Sequence, residues 1–396
     1  MSKNSNPKQV ALLIESSRAY GRNLLVGIAK YIRDHEPWIV SRREHKLEDE
    51  IPQWFREWKG DGVITRLDNP KLPALLKKMN VPVVYLRTPW KNVKAPSVLL
   101  DDRAVVRMAF EHLRERGFRH FAFCGLNGAD YSDVRRTMFV ELVRNAGFRC
   151  HVFKSARRMH FDTVVGYERH GLLQETEEVR RWIKTLPRPV GVMACNDLRG
   201  EKVLLACRAA GIIVPDEVAV IGVDNDELLC DFSQPPLSSV VPNTRRIGYE
   251  AAALLDRMMA GKPVPPEVNY VEPLGVVTRR STEVSAVEDR QVAVAARFIR
   301  EHACEGVTVQ QAAKMAGLSD RTMERRFAKI LGHGPKEEIL RVRLNRAKQL
   351  LAETDLSLAS IGEKIGLEHT EYLSRIFKRK IGMTPGQFRA RAQTAV

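Results

Sequence analysis

From residue 9 onward, short β-branched runs alternate with longer amphipathic stretches. VALLIE at 10–15 is followed by a segment at 21–34 whose apolar positions recur every three or four residues, and then by DGVIT at 61–65. A period near two predicts a strand and one near 3.6 a helix. The pattern continues with VPVVYL at 81–86, a helix over 103–116, HFAFCG at 120–125 and a helix over 134–146. A second series has PVGVMACND at 189–197, a helix over 198–210, VAVIGVDN at 218–225 and a long helix over 245–260. Such alternation predicts βαβ units and parallel sheets, and two doubly wound lobes suit this length better than one. In open parallel sheets ligands bind beyond the carboxyl ends of the strands, which makes Glu15, Ser16, Asn196, Asp197, Asp224 and Asn225 candidates by position.

After Arg280 the strands stop, and SAVEDR leads into a wholly helical pattern, so a domain junction is expected near 282–289. The tail repeats itself. GLSDRTMERRFAKILGHGP, starting at Gly317, matches GLEHTEYLSRIFKRKIGMTP, starting at Gly366, in order and chemistry. Phe327 and Phe377 are each followed by Gly at five residues and Pro at eight, and Val309 and Leu358 each stand eight before their Gly. A helix, a turn at Gly and a second helix with an apolar inner face is the helix-turn-helix plan, whose second helix enters the major groove of DNA. Two recognition helices are expected, over 320–329 and 369–379, with arginines on their outer faces.

Charge agrees with a polyanionic partner. The 396 residues carry 64 Lys and Arg against 48 Asp and Glu, a net +16, and residues 286–396 alone hold 20 basic against 13 acidic groups. The tail therefore has about twice the charge density of the rest. The length predicts two or three domains, and 44% hydrophobic residues suffice for packed cores. No apolar run approaches the roughly 20 residues of a membrane span. The polar start MSKNSNPKQ lacks the regions of a secretory signal, so a cytoplasmic protein is expected. Six scattered cysteines without a CxxC pair or a nearby His at metal-ligand spacing predict reduced thiols and no metal.

The tail repeat closely resembles the DNA-binding domain of the AraC family, in which two helix-turn-helix units are joined by a long helix; PKEEILRVRLNRAKQLLAET fits that helix. The family's second-unit signature is matched by Ile361, Gly366, Leu367, Phe377, Lys378, Gly382, Thr384 and Pro385. Gly362 departs from the usual Ala, at about 1 kcal/mol of helix propensity. The resemblance implies DNA contacts at Arg321, Glu324 and Arg325 in the first unit and at His369, Thr370, Glu371 and Arg375 in the second. Arginine suits guanine and Glu can accept from cytosine; solvated helix-face charges or phosphate contacts are the alternative for each. Arg326, Lys378 and Arg379 are expected at phosphate or in solvent.

GIIVPDEVAVIGVDNDEL and PPLSSVVPNTRRIGYEAAALLDRMMAGK resemble the effector domain of LacI-type repressors, which has the two-lobed periplasmic-binding-protein-like fold, over about residues 9–280. Such repressors carry a DNA-binding headpiece before the first strand; here the double helix-turn-helix tail is expected to take its place. The division is thus 1–283 for a sugar-binding domain and 284–396 for an all-α, double helix-turn-helix domain. This layout, with RAYGRNLLVGIAKYI, HFAFCGL and FIREHACEGVTV, is similar to that of regulators of xylose operons, and implies xylose or another monosaccharide as effector, a double-stranded DNA operator, a homodimer, activation of transcription and no cofactor.

Carried over by motif, the ligand contacts are Arg135, Asn196, Asp197 and Asp224. Carboxylates accept from sugar hydroxyls while Arg and Asn donate to them. Asp224 could instead be a turn residue, Asp197 could N-cap the helix from 198, and Arg136 stands beside Arg135. Tyr20 or Tyr131 could supply an aromatic wall. An enzyme on a doubly wound fold is the chief rival. The chain has no GxGxxG opening the first helix, and no GxxxxGK[ST], GxSxG or HExxH.

Overall fold

The computed structural model describes residues 7–43, 50–88, 95–155, 175–283, 289–367 and 369–393. Among these residues twelve strands occur: β1 (Lys8–Leu13), β2 (Trp38–Ser41), β3 (Gly62–Thr65), β4 (Val83–Tyr85), β5 (Ser97–Leu100), β6 (His120–Cys124), β7 (Cys150–Val152), β8 (Val190–Ala194), β9 (Val218–Val223), β10 (Ser238–Val241), β11 (Val268–Val271) and β12 (Gly275–Val277). They form two six-stranded sheets, β11-β5-β4-β3-β1-β2 and β12-β10-β9-β8-β6-β7. The central strands are buried on both faces; β8 and β9 are buried at every position, as a sheet covered by helices on two sides demands.

All pairings are parallel except that of β12 with β10, which departs from the expected wholly parallel arrangement. The reason is connectivity. Only residues 272–274 separate β11 in the first sheet from β12 in the second, too few for a crossover, so the chain hops across and runs back. The chain passes between the sheets three times, after β5, after β10 and after β11, and these passages frame a cleft between two lobes. In the first lobe, helices Ala19–Asp34 and Thr244–Met259 pack backbone to backbone. A Cβ on Gly27 would stand 1.9 Å from the Arg245 carbonyl oxygen, and one on Gly248 would stand 2.1 Å from that of Leu24.

The remainder is helical. Residues 284–288 lie outside the described residues, and with them most of the expected junction. Helix Arg290–His302 leads into the pair Val309–Met315 and Asp320–Leu331, then the long helix Pro335–Glu353, then the pair Leu358–Lys364 and Thr370–Ile381, and finally Pro385–Gln393. The repeated residues have local duties. Gly317 and Gly366 occupy the left-handed region at φ 64° and 69° in the two turns. Gly332 and Gly382 cap the recognition helices at φ 80° and 83°, and Pro335 and Pro385 open the helices that follow. Two cores fill the units, one around Met323 and Phe327 and the other around Leu373 and Phe377.

Candidate effector cleft and nucleic-acid interface

The second lobe contributes a linked set of polar groups. Arg135, on helix Asp130–Asn145, is buried; its Nε donates to Asp102 Oδ1 at 2.7 Å and its terminal nitrogen to the Cys195 carbonyl at 2.5 Å. The guanidinium stands 5.2 Å from the Tyr131 ring centroid. Arg136 points away and pairs with Asp133 at 2.9 Å, so of the two neighbours Arg135 is the inward one. Burial alone would lower the Arg135 pKa, yet the carboxylates of Asp102 and Asp224 raise it and hold the guanidinium charged.

Asn196 and Asp197 divide the work at the start of helix Asp197–Ala209. Asn196 is the N-cap, accepting from the Arg199 amide at 2.9 Å while its Nδ2 donates to the Tyr131 hydroxyl at 3.0 Å. Asp197 is therefore not the cap. Its carboxylate, 2% exposed, accepts from Ser239 Oγ at 2.6 Å and from the Asp226 amide at 2.9 Å, so it anchors the turn that carries Asp224. Burial, with Asp224 nearby, pushes the Asp197 carboxyl well above its ordinary range. Asp224 itself has φ 109° and Asn225 φ 45°, a region that costs a residue with a Cβ. The strained turn is held by the Asp224 amide on the Val240 carbonyl at 3.1 Å and the Asn225 amide on Ser239 Oγ at 3.0 Å.

The first lobe answers with charges of its own. Glu15, just past β1, is 1% exposed and pairs with Arg66, just past β3. Arg66 stands 4.4 Å from the Tyr20 ring centroid. Burial raises the Tyr20 pKa, with Arg66 opposing and Asp224 adding to the rise, which brings groups of both lobes into one electrostatic site. Asp68 pairs with Arg87 beside them. Glu15 Oε2 and Ser16 Oγ are buried without a hydrogen-bond partner, an acceptor and a hydroxyl left unsatisfied where strand ends meet the cleft. The lobes touch where the Ala19 amide donates to Asp226 Oδ2 at 3.3 Å. Arg66, Asp68, Arg87 and Asp102 escaped the sequence reading, although each follows a strand and the same strand-end rule reaches them.

The other candidate surface is the pair of recognition helices. Arg321, Glu324 and Arg325 are exposed on Asp320–Leu331, opposite buried Met323 and Phe327. His369 is the N-cap of Thr370–Ile381, with exposed Glu371 and Arg375 and half-buried Thr370 on that helix. The Arg375 guanidinium lies 5.7 Å from the Tyr372 ring centroid. Lys378 and Arg379 are exposed as expected. Arg326 differs: it reaches Asp289 at 3.3 Å and Gln291 at 3.1 Å, closing the first unit onto helix Arg290–His302. Among the described residues no cluster of three or more His, Cys, Asp or Glu could hold a metal, and no helix is long and apolar enough to cross a membrane.

Comparison with known proteins agrees with both halves. Residues 9–98 match the XylR N-terminal domain, 110–282 a periplasmic binding protein-like domain, and 312–391 a helix-turn-helix domain. The xylose operon regulatory protein of Haemophilus influenzae is 31% identical over 96% of this chain and 98% of its own length. That of Escherichia coli is 31% identical over 96% of both. The solved structure of the xylose-binding transcription activator XylR superposes with a TM-score of 0.61 at 29% identity, covering 97% of this chain and 98% of that one. These relatives are transcription regulators, and none supports an enzymatic reading.

Proposed function

Because this chain belongs to the family of xylose operon regulatory proteins, we propose that D-xylose or a related pentose, seated between its two lobes, controls where its helix-turn-helix units bind DNA. The chain is a DNA-binding transcription regulator. The observation that carries the choice of a sugar is the mixed set of polar groups gathered past the strand ends of both lobes, where Glu15, Arg66, Arg135, Asn196 and Asp224 supply acceptors and donors near Tyr20 and Tyr131. Adjacent hydroxyls on a pyranose ring match such a set. Arg135, Asn196 and Asp224 are assigned to the sugar, and Asp197 to the turn beneath it. Arg321, Glu324, Arg325, His369, Thr370, Glu371 and Arg375 are assigned to the operator, with 1–283 and 284–396 as the two domains.

Action on DNA supports a cytoplasmic location, and the likeness to a transcription activator supports activation. A homodimer is supported by apolar side chains left in solvent on two helices that pack together: Leu205 on Asp197–Ala209, and Leu228 and Phe232, 67% and 82% exposed, on Glu227–Phe232. The test is titration calorimetry of the full chain with pentoses and hexoses, repeated with Asp224→Ala. Xylose binding that the variant loses supports the assignment; a wild-type chain that ignores every pentose overturns it.

A further inference from the structure

Helix Asp102–Arg114 begins two residues after β5, where the chain first passes from one lobe to the other, and its first residue holds Arg135 in the cleft. Its 13 residues span roughly 20 Å. Val105, Val106, Ala109, Phe110 and Leu113 bury its inner face in the second lobe, so it moves with that lobe as one body. Its far end reaches the DNA-binding region. Glu115, the C-cap, pairs with Arg341, and its carbonyl accepts from Arg300 at 3.2 Å. Both arginines converge on Glu338, which is fully buried in the first turn of the helix joining the two helix-turn-helix units: Arg300 Nε donates at 2.7 Å and an Arg341 terminal nitrogen at 2.6 Å. The cluster holds two carboxylates and, with buried Arg116 beside it, three guanidiniums. Close by, His112 holds Thr282 Oγ1 at 2.8 Å and Arg116 Nε the Thr282 carbonyl at 2.8 Å, fixing the last turn before the junction.

Beside this cluster the two regions separate around a cavity of about 740 Å³, with Met108 and Glu111 on one wall and Val342, Asn345 and Lys348 on the other. A joint with a cavity beside it resists rotation mainly through its polar contacts. We propose that Asp102 and Glu115 are positioning residues at opposite ends of one helix, Asp102 registering occupancy of the cleft through Arg135 and Glu115 setting the DNA-binding region through Arg341 and Glu338. The inference rests on the reading of the cleft as a sugar site. Removing the Glu115 charge leaves Arg300 and Arg341, with Arg116 beside them, facing one buried carboxylate and frees the joint, while the cleft keeps every contact it had. Coupling needs only that sugar favour one arrangement of the joint over the other.

The experiment uses the full chain, Glu115→Gln, and, as a control on the same helix, Arg114→Gln, an exposed residue outside the cavity. D-xylose affinity is measured by calorimetry, and affinity for a duplex selected by the wild type from random sequence is measured with and without D-xylose. In the wild type and the control, xylose is expected to change DNA affinity about 5- to 150-fold. In Glu115→Gln the change shrinks to within about twofold while the sugar dissociation constant holds. Full coupling in Glu115→Gln overturns the inference. If the wild type binds no xylose, the sugar reading fails separately, and small-angle scattering of the unliganded proteins decides the joint: Glu115→Gln widens the distribution of domain separations, and an unchanged profile overturns its role.

Discussion

Ser239 Oγ donates to the Asp197 carboxylate at 2.6 Å beneath the turn that places Asp224 in the cleft. Asp197→Ala strands the Ser239 hydroxyl and the Asp226 amide together, at about 1–3 kcal/mol for each buried group left unpaired. Asp197→Asn keeps the shape, can still accept from the amide and can donate to Ser239. Urea titration should therefore show a large drop in stability for the alanine variant and a small one for asparagine; equal losses would contradict the anchoring role.

Arg135 uses the fork of its guanidinium, one nitrogen on Asp102 and another on the Cys195 carbonyl, with its plane near Tyr131. A lysine retains the charge and loses the fork. Arg135→Lys is expected to weaken xylose binding at least about tenfold, or about 1.4 kcal/mol, by calorimetry.

His112 is buried against Thr282, and burial first, then the charges of Arg116, Arg341 and Arg300, push its pKa well below the ordinary 6.5. It is neutral in the folded chain and takes up a proton on unfolding at acid pH. The unfolded state therefore binds more protons below pH 6.5, and stability falls as pH drops through that value toward the depressed folded pKa. Above pH 6.5 the contribution is fully present. The slope approaches at most about 1.4 kcal/mol per pH unit. His112→Gln should flatten the calorimetric Tm profile between about pH 7 and pH 5 relative to the wild type.

On the DNA side, Arg325→Ala and Arg375→Ala should each cost about 1–3 kcal/mol on the selected duplex and relax preference at one base position. Exposed Lys378 lies beyond the base-reading set, and Lys378→Ala should weaken all sequences alike and lower the salt slope by about one. Competition binding at several salt concentrations separates the two behaviours.

Phe232→Asp places a charge on the most exposed large apolar side chain among the described residues. Sedimentation should show a dimer for the wild type and a lighter species for the variant.

How much of this could be read from the chain depends on how local each cause is. The helix-turn-helix units were legible because their turns, caps and helix starts are demands of single residues: Gly317, Gly332 and Pro335 recur as Gly366, Gly382 and Pro385. The placement of Asn196 and Asp224 just past β8 and β9 was legible from the strand pattern. The ion pairs of Glu15 with Arg66 and of Arg326 with Asp289 join residues 51 and 37 positions apart, and no periodicity announces them. Gly362 read as a weakness of its helix. A Cβ there would stand 2.9 Å from the Leu367 carbonyl oxygen, so the missing methyl accommodates the turn at Gly366.

That same turn has a further consequence. A Cβ on Gly366 would meet the Cys304 carbonyl oxygen at 2.8 Å, so the second unit's turn rests on the backbone just ahead of the first unit. The joining helix, 19 residues or about 28 Å long, is tied to that backbone again by Arg343 on the Ala303 carbonyl at 2.7 Å. The two readers are set like jaws of a fixed-gauge caliper. Inserting even a few base pairs between the two segments they read should destroy recognition, because the protein has no slack with which to follow the groove.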